Sequence, residues 1–69
     1  MSKPDLQSRI IGVMADDPEG AFTAAALAAS VLAHREHVQE ALHTLDDNGA
    51  VILRNGLYRL SEVTKRNLL

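Results

Sequence analysis

Between positions 34 and 47 the chain gathers most of the side chains with which it could do polar chemistry: His34, Arg35, Glu36, His37, Gln39, Glu40, His43, Asp46 and Asp47. These residue types suit recognition better than reaction. An arginine pairs in a fork with guanine, a glutamine pairs the same way with adenine, and a carboxylate accepts from the amino group of cytosine. Arg35, Gln39, Glu36, Glu40 and His43 thus carry polar groups of the kind that can pair with a base edge. The glutamates also repel phosphate, so a plain solvated helix face is an equally weighted reading of them. His34 and His37 stand one turn apart, and imidazole binds zinc well, which raises a metal-sensor reading. No cysteine, HExxH pattern or dense carboxylate and histidine cluster accompanies them. The three histidines are accordingly read as helix surface, with His34 at a turn, and neither a metal nor a cofactor is expected. An unperturbed imidazole titrates at about pH 6.5, so a DNA contact made through this segment would respond to acidification.

The cationic residues lie elsewhere. From Val51 onward Arg54, Arg59, Lys65 and Arg66 stand against Glu62, a net +3. From Asp16 to Gly49 Arg35 alone offsets seven carboxylates, a net −6, and the whole chain carries −2. A generic nucleic-acid binder is basic throughout, so any phosphate contact is expected from the C-terminal third. Arg54, Asn55, Arg59, Lys65 and Arg66 are the candidates for the DNA backbone. The competing reading of the arginines is that they keep an exposed edge strand soluble.

Catalysis finds no foothold. No serine sits in a nucleophile elbow, no glycine-rich phosphate loop precedes a helix, and the carboxylates fall in turns or on helix faces. The chain has 69 residues, too few to enclose a substrate pocket, and a non-enzyme is expected. A chain of this length is expected to be one domain over 1–69 with a thin core, helped by a second copy, so a homodimer is anticipated. The absence of cysteine fits a reducing cytoplasm. The longest apolar run, 24–29, falls far short of the roughly 20 residues that span a bilayer, and the N-terminus lacks an export pattern. A soluble cytoplasmic protein without a membrane partner follows.

The elements that must position these residues read clearly. Leu6, Ile10, Val13 and Met14 recur at helical spacing, with Ser2 and Asp5 as a capping pair and Pro4 in the first turn, predicting a helix over about residues 4–15. Asp16-Asp17-Pro18-Glu19-Gly20 ends it, and Ala21-Phe22 reads as a short extended piece. Thr23 caps an alanine-rich helix over about residues 24–31, and Leu32-Ala33-His34 makes a tight turn. Val38, Ala41, Leu42 and Leu45 form one apolar stripe of a third helix over about residues 35–48, with Gly49 in the left-handed position after it. Val51-Ile52-Leu53-Arg54 and Leu57-Tyr58-Arg59-Leu60 flank Asn55-Gly56, the pair best suited to a type I′ turn, so a hairpin is expected over about residues 51–60. Ser61 caps a final helix over about residues 62–68, whose weak periodicity predicts fraying.

The predicted architecture is mainly α with a small β-hairpin. The run from Leu27-Ala28 through the turn to Val38, Leu42 and Leu45, then Gly49 and Val51, resembles the winged helix-turn-helix of MarR-type and ArsR-type bacterial transcriptional regulators, a three-helix core with a two-residue-turn wing. The resemblance spans nearly the whole chain but rests on packing positions that many winged helices share. His34 stands where a serine or threonine cap is usual, and the wing is shortened to Asn55-Gly56. What the resemblance implies is a regulator that binds double-stranded DNA as a homodimer, with the third helix in the major groove, where Arg35, Gln39, Glu36, Glu40 and His43 are the candidates for reading base edges, and the wing arginines on the backbone. The acidic third helix favours an alternative, a winged-helix module that docks on a basic protein partner and does not bind DNA.

Overall fold

The computed structural model describes residues 5–68. In chain order it contains α1 (Leu6–Ala15), α2 (Ala24–Val31), α3 (Arg35–Asp47), the strands β1 (Val51–Arg54) and β2 (Leu57–Leu60), and α4 (Glu62–Asn67). Asp5 is extended and its Oδ1 accepts from the Ser8 amide at 2.8 Å, so α1 starts at Leu6 rather than at residue 4. That hydrogen bond from the Ser8 amide holds the Asp5 carboxyl below its ordinary range. The capping role expected of Ser2, and Pro4 in the first turn, lie outside the described residues. Thr23 caps α2 by accepting from the Ala26 amide at 3.0 Å, and Ser61 caps α4 by accepting from the Thr64 amide at 3.3 Å.

Three helices surround one core. Ile10 and Met14 from α1, Leu27, Ala28 and Val31 from α2, and Val38, Ala41, Leu42 and Leu45 from α3 are buried together with Val51 and Leu60 from the hairpin. The small side chains of α2 permit close approach, which is how a helix of only eight residues contributes three buried positions.

The exit from α3 is closed by two backbone bonds. The Gly49 amide donates to the Asp46 carbonyl at 3.0 Å and the Ala50 amide to the Leu45 carbonyl at 2.8 Å, with Gly49 at φ 77°. This is the Schellman pattern, and a glycine suits its left-handed residue because a Cβ there is disfavoured. The chain is thereby turned into β1 with Val51 facing inward.

In the hairpin Val51 pairs with Leu60, Ile52 with Arg59, Leu53 with Tyr58 and Arg54 with Leu57. Asn55 at φ 53° and Gly56 at φ 78° make the two-residue turn that a right-handed strand twist favours. The expected extended piece at Phe22 is a single antiparallel bridge to Tyr58, with bonds of 2.9 and 2.7 Å. It extends the sheet on the far edge of β2, and among the described residues no strand pairs with the outer edge of β1.

One feature was not expected from the sequence. Leu32, which ends α2, adopts φ 55° and is 90 % exposed. A branched side chain in that region is strained by roughly 1–2 kcal/mol, and this one recovers nothing from burial. The Arg9 guanidinium donates to the neighbouring Val31 carbonyl and the Ala33 amide to the Ala28 carbonyl, so the end of α2 is satisfied despite the strain.

Two stability outcomes follow. Leu42→Ala, at a position with no exposed surface, is expected to cost about 2–5 kcal/mol, enough to unfold much of a domain this small, as thermal or urea denaturation would register. Leu32→Gly is expected to raise the thermal midpoint by about 4 °C, since relief of the left-handed strain outweighs the entropy of glycine. A lowered midpoint would show that Leu32 is packed against something.

Candidate nucleic-acid interface

The outward side of α3 is uncovered. Arg35, Glu36, Gln39, Glu40 and His43 are all exposed, while Val38, Ala41, Leu42 and Leu45 on the opposite side are buried. The spacing of the buried four directs the other five outward, because residues three and four apart share a face. His34, Arg35, Glu36, His37 and Gln39 line one shallow hollow at the start of the helix, and Glu36, Gln39, Glu40, His43 and Thr44 line the next one along it. All five candidate base readers thus lie on one continuous strip.

The start of α3 has no side-chain cap, since His34 is extended but makes no hydrogen bond to the first turn. Its ring instead meets that of His37 edge to face, with centroids 5.6 Å apart. Further along, His43 Nε2 lies 3.7 Å from Asp47 Oδ2, an exposed pair that becomes ionic when the imidazole is protonated. Among the described residues no group of three or more histidine or acidic side chains is arranged to hold a metal ion.

The five backbone candidates are divided by the fold. Arg54 and Asn55 project at the exposed tip of the hairpin, and Arg66 is exposed on α4. Arg59 is exposed but its Nη2 donates to the Glu19 carbonyl at 3.3 Å, tying the wing to the α1–α2 loop. Lys65 is spent internally. Its Nζ sits 2.9 Å from Glu62 and 3.0 Å from Glu19, and the side chain is only 22 % exposed. The Glu62 spacing, one turn away on the same helix, was readable in the sequence. The contact to Glu19, 46 positions earlier, carried no local signal.

The register also places Ile52, Arg54, Leu57 and Arg59 on the outward face of the hairpin, where Ile52 and Leu57 remain 41 % and 37 % exposed. The wing therefore offers a mixed aliphatic and cationic surface. Val63 and Leu68 add exposed apolar area on α4. Leu69, expected to close that segment, lies outside the described residues. No helix among the described residues is long and apolar enough to cross a membrane.

The crystal structure of ligand-free NadR matches the fold with a TM-score of 0.80 at 25 % sequence identity, over 94 % of this chain and 48 % of that one. The fold is a winged helix. The chain spans about half the length of the NadR chain it matches, at the 48 % covered. No family model matches the chain, and no curated protein matches it.

The Lys65 clamp makes a pH prediction with a definite sign. The hydrogen bonds to Glu62 and then to Glu19 raise the Lys65 pKa, and the bond from Lys65 lowers that of Glu62. The lysine contribution is fully present below its ordinary value of 10.5 and is lost as pH rises through the raised folded value. The Glu62 contribution is present above its ordinary 4.5 and is lost as pH falls through the lowered folded value. Thermal midpoints of wild type and Lys65→Met, followed from about pH 3 to about pH 11, should differ most in the neutral range and begin to narrow toward both ends. A difference independent of pH would show that the lysine acts through packing alone.

Proposed function

We propose that this chain is the DNA-binding domain of a transcriptional regulator of the MarR-like or ArsR-like kind. α3 enters the major groove, where Arg35 and Gln39 contact base edges and Glu36 and Glu40 accept from cytosine amino groups. His43 lies further along the same strip. The hairpin rests on the flanking backbone through Arg54, Asn55 and Arg59, and Arg66 extends that contact from α4. Lys65 is left out of the phosphate-binding set because Glu19 and Glu62 already hold it.

The observation that carries this reading is the uncovered strip of α3 beside a tight cationic hairpin tip. All five candidate readers are exposed among the described residues. The winged-helix likeness to NadR supports the same reading at the level of fold. A homodimer completes it, with two copies of α3 in successive grooves about 34 Å apart. Leu6, Ile11 and Val13 on α1 are only partly covered, and Val63 on α4 and Leu68 just after it are exposed, which supports those two helices as the surface for the second copy.

The test is duplex DNA affinity as a function of salt, followed by selection from a random duplex pool. Binding should weaken with added salt with a log–log slope of about −0.9 for each phosphate contacted, and selection should enrich a palindrome. Arg54→Glu should weaken binding by roughly tenfold on every sequence, Gln39→Ala should cost about 1–3 kcal/mol on the selected site alone, and Lys65→Gln should change affinity by less than about twofold. Absence of binding at low salt would refute the regulator reading and assign the acidic strip to a basic protein partner.

A further inference from the structure

We propose that α3 is an acid-sensitive DNA reader, in which protonation of His34, His37 and His43 cancels the negative charge of the groove-facing strip and switches DNA binding on. This deepens the reading above and rests on α3 being the helix that faces DNA.

All three histidines of the chain fall in this one segment, and all three are exposed. Over residues 34–47 Arg35 stands against Glu36, Glu40, Asp46 and Asp47, so the segment carries −3 with neutral imidazoles and zero with all three protonated. A strip with that negative charge repels a duplex at long range, whereas a neutral one carrying three imidazolium donors can bond to phosphates. Free imidazole makes this change at about pH 6.5, inside the range in which carboxylates as a class stay ionised.

The surroundings leave the histidines as the adjustable groups. From α1, Asp5 lines a hollow with His37 and Glu40, and Arg9 is engaged on the Val31 carbonyl. α2 carries no ionisable side chain, and β1 contributes Arg54 alone. On α3 itself Asp47 lies 3.7 Å from His43, while Glu36 and Glu40 flank the other two in sequence.

The pair at the helix start adds coupling. Two protonated rings at a centroid separation of 5.6 Å repel each other, and both sit at the positive end of the helix. A phosphate backbone laid across them offsets both terms. Proton uptake and DNA binding therefore favour one another, and by linkage each raises the affinity for the other by the same factor.

Fluorescence anisotropy on a random-sequence duplex at about pH 8 and about pH 5.5 tests the inference. Wild type should bind at least about tenfold more tightly at the lower pH, with a salt slope steeper by about 1 to 3. The triple variant His34→Gln, His37→Gln, His43→Gln should reduce the ratio of its affinities at the two pH values to less than about twofold. Far-UV circular dichroism of the same samples checks the helices. Should the triple variant lose helix, His43→Gln alone must still diminish the response. Equal affinity at the two pH values would overturn the acid switch and leave the regulator reading intact. A response retained in full by the variants would overturn it as well, placing the sensitivity outside α3. No binding at either pH in low salt would overturn both readings.

Discussion

Burial of the inner seam of α3 is the constraint from which the rest of this fold proceeds. Val38 and Leu42 have no exposed surface, Ala41 and Leu45 nearly none, and they meet side chains from α1, α2 and the hairpin. A helix held on that side has its opposite side set by geometry, because the periodicity that buries one stripe displays the other. The same seam determines where α3 stops. Leu45 stays inside while its carbonyl accepts the Ala50 amide, which turns the chain and sends Val51 back into the core. Ala50 then becomes a junction. Its carbonyl accepts from the Ser61 amide at 3.1 Å and from Thr64 Oγ1 at 2.7 Å, so the end of α3, the hairpin and the start of α4 share one node. The wing's position relative to α3 is thereby fixed in part by these bonds to the Ala50 carbonyl.

Charge is distributed less generously than the sequence total for the C-terminal third implies. Glu19 and Glu62 occupy the Lys65 ammonium, and the Glu19 carbonyl holds part of Arg59. The α1–α2 loop therefore acts as a brace for the wing, at the expense of cationic groups that a polyanion would otherwise meet. Among the described residues the exposed cationic side chains are then Arg35, Arg54 and Arg66, with Arg9 on the Val31 carbonyl and Arg59 partly held. Against the four carboxylates of α3 this is a weak attraction, and a modest change in protonation can reverse its balance.

The turn between α2 and α3 shows where local preference yields to packing. Leu32 takes a backbone conformation suited to glycine and exposes nearly its whole side chain, yet the turn is maintained because Val31 before it and Ala33 after it are drawn inward. Strain at one residue is tolerated where buried neighbours on both sides over-determine the path.

The fold class was legible because its signals are local or periodic. The alanine-rich helix, the apolar stripe of α3, Gly49 at its exit and the Asn55-Gly56 turn each state a conformation within a few residues, and together they specify a mainly helical domain with a tight hairpin. The direction of Arg35, Glu36, Gln39, Glu40 and His43 followed from the same stripe. What stayed hidden depends on partners distant along the chain. The sequence could not show that Glu19 would claim Lys65, that Arg9 would cover the end of α2, or that Leu32 would be forced left-handed. Side-chain spacing within one element obeys a fixed helical or strand period, and so the sequence alone determined the elements and their faces. Which charges remain free is decided only when separate elements are brought together, because an ion pair needs proximity in space that no period encodes, and that was left to the tertiary structure.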